Sequence, residues 1–137
     1  MIESSTISPE IASLLEDKNL AFVATLMKDG SPQITPVWID YVNGVILVNT
    51  AEGRIKQRNT SRDPRIAISI VDKNNPYNMV TMQGNVIEQT SQGAENHIDK
   101  MAKKYLGLDK YPFARADEKR ILLKIIPKKI FHMKPPS

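Results

Sequence analysis

Two tight-turn dipeptides, Asp29-Gly30 and Asn43-Gly44, cut the first part of the chain into consecutive extended segments, and this constrains the fold more than any other feature. Such dipeptides supply the positive φ that short hairpins need. Leu20–Met27 is an apolar run with β-branched and aromatic members, Gln33–Tyr41 is its return strand, and Val45–Thr50 is a third. Three strands joined by tight turns make an antiparallel meander, which argues against a parallel α/β sheet.

The remaining elements follow from caps and periodicity. Ser8-Pro9-Glu10 starts a helix over 9–17, with Ile11, Leu14 and Leu15 on one face. Glu52–Arg62 reads as a short helix stopped by Asp63-Pro64, and Arg65–Val71 as a strand. Asn78–Glu88 is another strand, with Gly84 as a bulge or a point of close approach. Ile98, Met101, Ala102 and Tyr105 mark a helix that Gly107 stops. Ile121–Ile126 and Lys129–Met133 are two last strands split by Pro127. Strands this apolar call for burial on both faces. The expected fold is therefore mainly β with flanking helices, a small closed or partly closed barrel in which a homodimer could cover the remaining strand faces. One domain over 1–137 suits the length, with flexible tails at 1–7 and 134–137.

Several chemistries are excluded. The chain has no cysteine, which removes thiolate metal sites and cysteine nucleophiles. Its six glycines are never spaced for a Rossmann fingerprint or a P-loop. His97 and His132 are the only histidines and have no metal-type spacing, and no G-x-S-x-G supports serine catalysis. No apolar run approaches the ~20 residues of a membrane span, so a cytoplasmic setting without a membrane partner is expected.

The charge is uneven. Residues 1–50 carry −4, residues 51–65 carry +3, and residues 119–137 carry +6. Two basic segments on a mildly acidic body point to an anionic ligand. The richest stretch is Asn49–Asn59, where a strand ends in small polar residues, Gly53 allows a sharp turn, and Arg54, Lys56 and Arg58 crowd the start of a helix. Cations there oppose the helix dipole by about 0.3–1 kcal/mol each, a conflict that a bound phosphate resolves. The bland alternative is that these arginines pair with Glu52 and Asp63. Arg54, Arg58 and Arg62 lie on one helical stripe and Lys56 points elsewhere, so Arg54 and Lys56 are the better ligand pair, with Arg58 or Arg62 serving a second contact or the fold.

The run A-T-L-M-K-D-G-S-P-Q-I-T-P-V-W (24–38), then V-N-T-A-E-G-R-I-K-Q-R-N (48–59) and R-D-P-R (62–65), resembles the pyridoxamine 5′-phosphate oxidase-like superfamily, in particular its small coenzyme F420-dependent oxidoreductase branch. The resemblance implies a split β-barrel of the FMN-binding type, homodimeric, with cofactor sites at the subunit interface. It puts Thr50, Arg54, Lys56 and Asn59 near the cofactor phosphate, and Thr35, Pro36, Val37 and Trp38 along the ring, with Met82 and Gln83 as further candidates. Trp38 has an equal claim as core or interface packing. The R-x-x-L-L-K signature of true pyridoxamine phosphate oxidases has no counterpart here.

The activity implied is hydride transfer from reduced F420 to a small unsaturated or conjugated molecule. Such chemistry asks the protein mainly for position and water exclusion, and no side chain is named as a catalytic acid. An FMN-dependent oxidoreductase or flavin carrier is the alternative on the same barrel. A nucleic-acid-binding small barrel is a third reading, weakened because aromatics are 6% and none interleaves with residues 51–65.

Overall fold

The computed structural model describes residues 2–4 and 6–136. Eleven elements run along the described residues: β1 (Ile2–Ser4), α1 (Pro9–Glu16), β2 (Ala21–Leu26), β3 (Pro32–Val37), β4 (Asp40–Val42), β5 (Val45–Ala51), α2 (Ile55–Arg62), β6 (Arg65–Asp72), β7 (Asn75–Thr90), α3 (Ala94–Leu106) and β8 (Arg120–Met133). The strands form one antiparallel sheet in the order β3-β2-β6-β7-β8-β5-β4, with β1 on β8. The N-terminal stretch read as a tail thus contributes a short strand, whereas Met1, Ser5 and Ser137 lie outside the described residues.

β3 and β4 end the hydrogen-bonded path at opposite edges, yet only Trp38 and Ile39 separate them in sequence. The sheet must therefore coil until its two edges meet at that corner. Among the described residues no ladder joins β3 to β4, so the barrel expected from the sequence is open along this seam. The single return strand expected over 33–41 breaks at the same corner. Ile39 is fully buried, its amide is taken by the Tyr105 hydroxyl (3.1 Å) and its carbonyl by Lys104 Nζ (2.7 Å). Side chains of α3 replace the ladder partners that a continuous strand would require.

The last strand differs in the opposite sense. β8 continues through Pro127, which stands opposite Gly84 at a register shift in β7. A Cβ on Gly84 would run into the Ile126 carbonyl oxygen, so only glycine admits this close approach. Inside the coiled sheet lie Val23, Ile46, Val48, Ile68, Ile70, Val80, Leu123, Ile125 and Ile130, covered by Ile11, Leu14 and Leu15 of α1. Each such side chain contributes roughly 1.5–3 kcal/mol of burial. Burial on both faces does not extend to the whole sheet, because Phe22 and Ile34 are 42% and 62% exposed.

A cation-rich cleft along the open seam

The seam opens into a cleft of about 680 Å³. One wall is β3, with Gln33, Thr35, Pro36 and Val37 running to Trp38, and the other is the end of β5 with the turn into α2. Gly53, at φ +87°, makes that turn, and its amide donates to Gln57 Oε1 (2.8 Å). Arg54 stands at the N-cap of α2 without capping it, and the first turn carries no acid. A helix N-terminus with cations and no side-chain cap leaves amides and positive charge facing the cleft.

Three cations line this cleft: Arg54, Lys56 and Arg120. Lys56 Nζ donates across the seam to Thr35 Oγ1 (2.8 Å). Burial first, and the charge of Arg54 second, push the Lys56 ammonium below the usual lysine range. Arg54 and Arg120 both donate to the same oxygen of Glu118, Arg120 Nη1 at 2.8 Å. The Glu118 side chain is only 7% exposed, and among the described residues its other oxygen has no hydrogen-bond partner. Across the cleft Gln33 Oε1 is likewise buried without a donor.

Behind Arg120 runs a satisfied polar chain. Arg120 Nε donates to Asn49 Oδ1 (2.9 Å), which turns the Asn49 amide nitrogen toward Ala94 O (2.8 Å) and His97 Nδ1 (3.1 Å). His97 therefore accepts at Nδ1 and donates from Nε2 to Asp40 Oδ2 (3.0 Å). Burial works to raise the Asp40 carboxyl, but hydrogen bonds from His97, the Tyr41 amide and Lys100 outweigh it and hold it well below the usual carboxylate range. With both ring nitrogens engaged, His97 orients Asn49 and does not face the cleft.

Aromatic rings close the cleft opposite α2. Trp38 stacks on Tyr105 (5.4 Å between centroids, 6° between planes) and meets the edge of Tyr111 (6.0 Å), which in turn meets Phe113. Arg120 lies 5.3 Å over the Tyr111 ring. Planar rings beside these cations suit a ligand that is both flat and anionic.

The structure thus gathers Thr35, Pro36, Val37, Trp38, Thr50, Arg54 and Lys56 of the sequence candidates in one cleft. It does not bring Asn59, Met82 or Gln83 there. Asn59 is buried and ties α2 to β2 through Thr25 Oγ1 (3.0 Å) and Met27 Sδ (3.4 Å). Met82 is 2% exposed in the core, and Gln83 borders two other cavities. Arg62 serves the fold, bonding Leu26 O and Asn59 Oδ1. Arg65 holds Asp63, whereas Arg54 finds Glu118 rather than Glu52. Sequence reasoning did not single out Arg120, Glu118, Tyr111 or Phe113, and it took in Asn49 only as the start of the stretch that turns into α2. Arg120 joins the site only through the register that sets it opposite Ala51, while Tyr111 and Phe113 carried a usable signal as aromatics in a charged loop.

An antiparallel sheet coiled on itself but open along one seam, with three flanking helices, defines the pyridoxamine 5′-phosphate oxidase-like fold. A family model described as Pyridoxamine 5′-phosphate oxidase matches residues 7–134, and the chain belongs to that family. No curated protein matches the sequence. Among solved structures, an F420 reductase superposes with a TM-score of 0.77 at 25% identity, over 87% of this chain and 94% of its own. General Stress Protein 26 from Bacillus anthracis gives 0.65 at 17% identity, over 93% of each chain. An FAD-binding protein from Mesorhizobium loti gives 0.64 at 16%, over 95% of this chain and 96% of its own.

Proposed function

We propose that the chain is an oxidoreductase of the cytoplasm that holds reduced coenzyme F420 in the seam cleft and reduces a small unsaturated or conjugated molecule. The observation that carries this reading is the meeting of Arg54, Lys56 and Arg120 with the Trp38–Tyr111–Phe113 rings in one cavity. The F420 reductase among its structural relatives supports it. The donor set fits such a ligand. Arg54 and Lys56 receive the phosphate, Thr35 and Thr50 supply hydroxyls beside it, and Pro36, Val37 and Trp38 line the ring. Gln33 Oε1 is a buried acceptor in need of the N–H that a flavin or deazaflavin ring carries. Bound there, the reduced ring supplies the hydride. The chain's own residues position it and exclude water. His97 and Asp40 keep Asn49, and through it Arg120, in one orientation.

FMN is the second reading. Its phosphate monoester carries about two charges, as phosphate groups do near neutral pH, and three cations against one carboxylate leave two in excess. Either cofactor would be shared between two copies of the chain, paired through the face that exposes Phe22 and Ile34. Met82 and Gln83 border a cavity on that face together with Phe22, Ile34 and Phe131, and in the dimer they would serve the partner's cleft. Light scattering tests the pairing, for which twice the mass of 15.4 kDa is expected. Replacing Arg54 and Lys56 together with alanine tests the site: cofactor affinity should collapse, and an unchanged affinity would refute the assignment.

A further inference from the structure

Glu118 presents an unusual arrangement for a buried carboxylate. Its side chain is 7% exposed, one oxygen receives both Arg54 and Arg120, and the other receives nothing among the described residues. A carboxylate built to anchor two arginines would spread them over both oxygens, since a bidentate or divided arrangement leaves no buried lone pair unmet. The two arginines are also unequal. Arg120 is 7% exposed and fixed by Asn49, whereas Arg54 is 52% exposed and has no other side-chain hydrogen bond among the described residues. Arg54 is therefore the member free to exchange partners.

We propose that Glu118 is an internal competitor for the anion site, occupying Arg54 until a ligand phosphate displaces it, and that it thereby selects ring-bearing phosphates over simple anions. This rests on the reading of the cleft as a phosphorylated-cofactor site. Three cations in a partly dry cleft would on their own collect any small anion present at millimolar concentration. A carboxylate tethered beside Arg54 has an effective concentration of millimolar or above. Free phosphate reaches the same cations and hydroxyls but gains nothing along the rings, and loses that competition. A phosphate attached to a tricyclic ring gains additional binding along Trp38, Val37 and Tyr111, and wins it. On displacement Arg54 moves to the ligand while Glu118 stays with Arg120, so no charge is left buried alone.

The test uses the full chain, stripped of cofactor, with four probes: inorganic phosphate, riboflavin, FMN and coenzyme F420. Wild-type protein should show no thermal stabilisation by phosphate up to tens of millimolar. Glu118→Gln, which keeps the shape and removes the charge, should bind phosphate in the millimolar range. It should also bind the phosphorylated cofactors about tenfold more tightly, chiefly through faster association because Arg54 is free before the ligand arrives, and leave riboflavin affinity unchanged. Glu118→Asp keeps the buried charge but draws it back from Arg54, and should show the same changes to a smaller degree. Stabilisation of the wild type by low-millimolar phosphate would overturn the proposal, as would unchanged or weaker phosphate binding in either folded variant. If FMN and F420 fail to bind any form while phosphate binds Glu118→Gln, the competitor stands and the cofactor reading falls. If the cofactors bind wild type and variants alike, the reverse holds.

Discussion

Two buried carboxylates in this molecule sit in opposite electrostatic circumstances. Asp40 is fully satisfied: Oδ2 takes His97 and Lys100, and Oδ1 takes the Tyr41 amide. Glu118 takes two arginines on one oxygen and leaves the other unpaired among the described residues, with Lys56 adding a third positive charge close to Arg54. The first cluster is closed and gains nothing from a ligand. The second carries surplus charge and an unmet acceptor beside an open cavity. A satisfied polar cluster fixes structure, whereas an unsatisfied one beside a cleft is where a ligand completes the set.

The contrast breaks most visibly in the double variant Arg54→Ala/Lys56→Ala. On the order of 100-fold or more of cofactor affinity should disappear, two charge-assisted contacts at ~1.5–3 kcal/mol each, with little change in the melting temperature. Fluorescence titration beside a thermal melt separates the two effects. Asp40→Asn should do the reverse. It should destabilise the fold by about 1–3 kcal/mol, read from urea unfolding, and shift cofactor affinity far less.

The pH dependences should also part. The Asp40 carboxyl is held low in the folded chain, so its contribution to stability is complete above the unfolded value of about 4 and is lost as pH falls toward the folded one. Urea midpoints measured from pH 6 downward should fall more steeply for wild type than for Asp40→Asn. Lys56 titrates below an ordinary lysine, and a phosphate beside it favours its charged form. Cofactor affinity should weaken as pH rises through that lowered value, whereas Lys56→Arg should flatten the decline. The smallest effect belongs to Arg58, exposed on α2 and absent from the cleft lining. Arg58→Ala should change affinity less than about twofold and stability by less than ~0.5 kcal/mol.

Local chemistry made much of the fold legible. Asp29-Gly30 and Asn43-Gly44 announced the hairpins, Ser8-Pro9 the first helix, and Gly84 the close approach that lets Pro127 stand within β8. The broken strand at Trp38-Ile39 was not legible, because the groups that satisfy it come from Lys104 and Tyr105, more than sixty residues away. The candidate site divides in the same way. Arg54 and Lys56 were visible because cations conflict with a helix start. Arg120 and Glu118 were hidden because Arg120 enters the cleft only through the β5–β8 register, and Glu118, in the loop before β8, lines a neighbouring cavity and reaches the cleft through Arg54 and Arg120. Asn59 carried no sign that it faces inward to Thr25 rather than outward to a ligand.

The most direct measurement titrates cofactor-stripped wild-type protein with coenzyme F420 and, separately, with FMN, following the fluorescence of each. Micromolar or tighter binding of at least one, abolished in Arg54→Ala/Lys56→Ala, is what a cation-rich seam cleft predicts. Failure of a folded protein to bind either would contradict it.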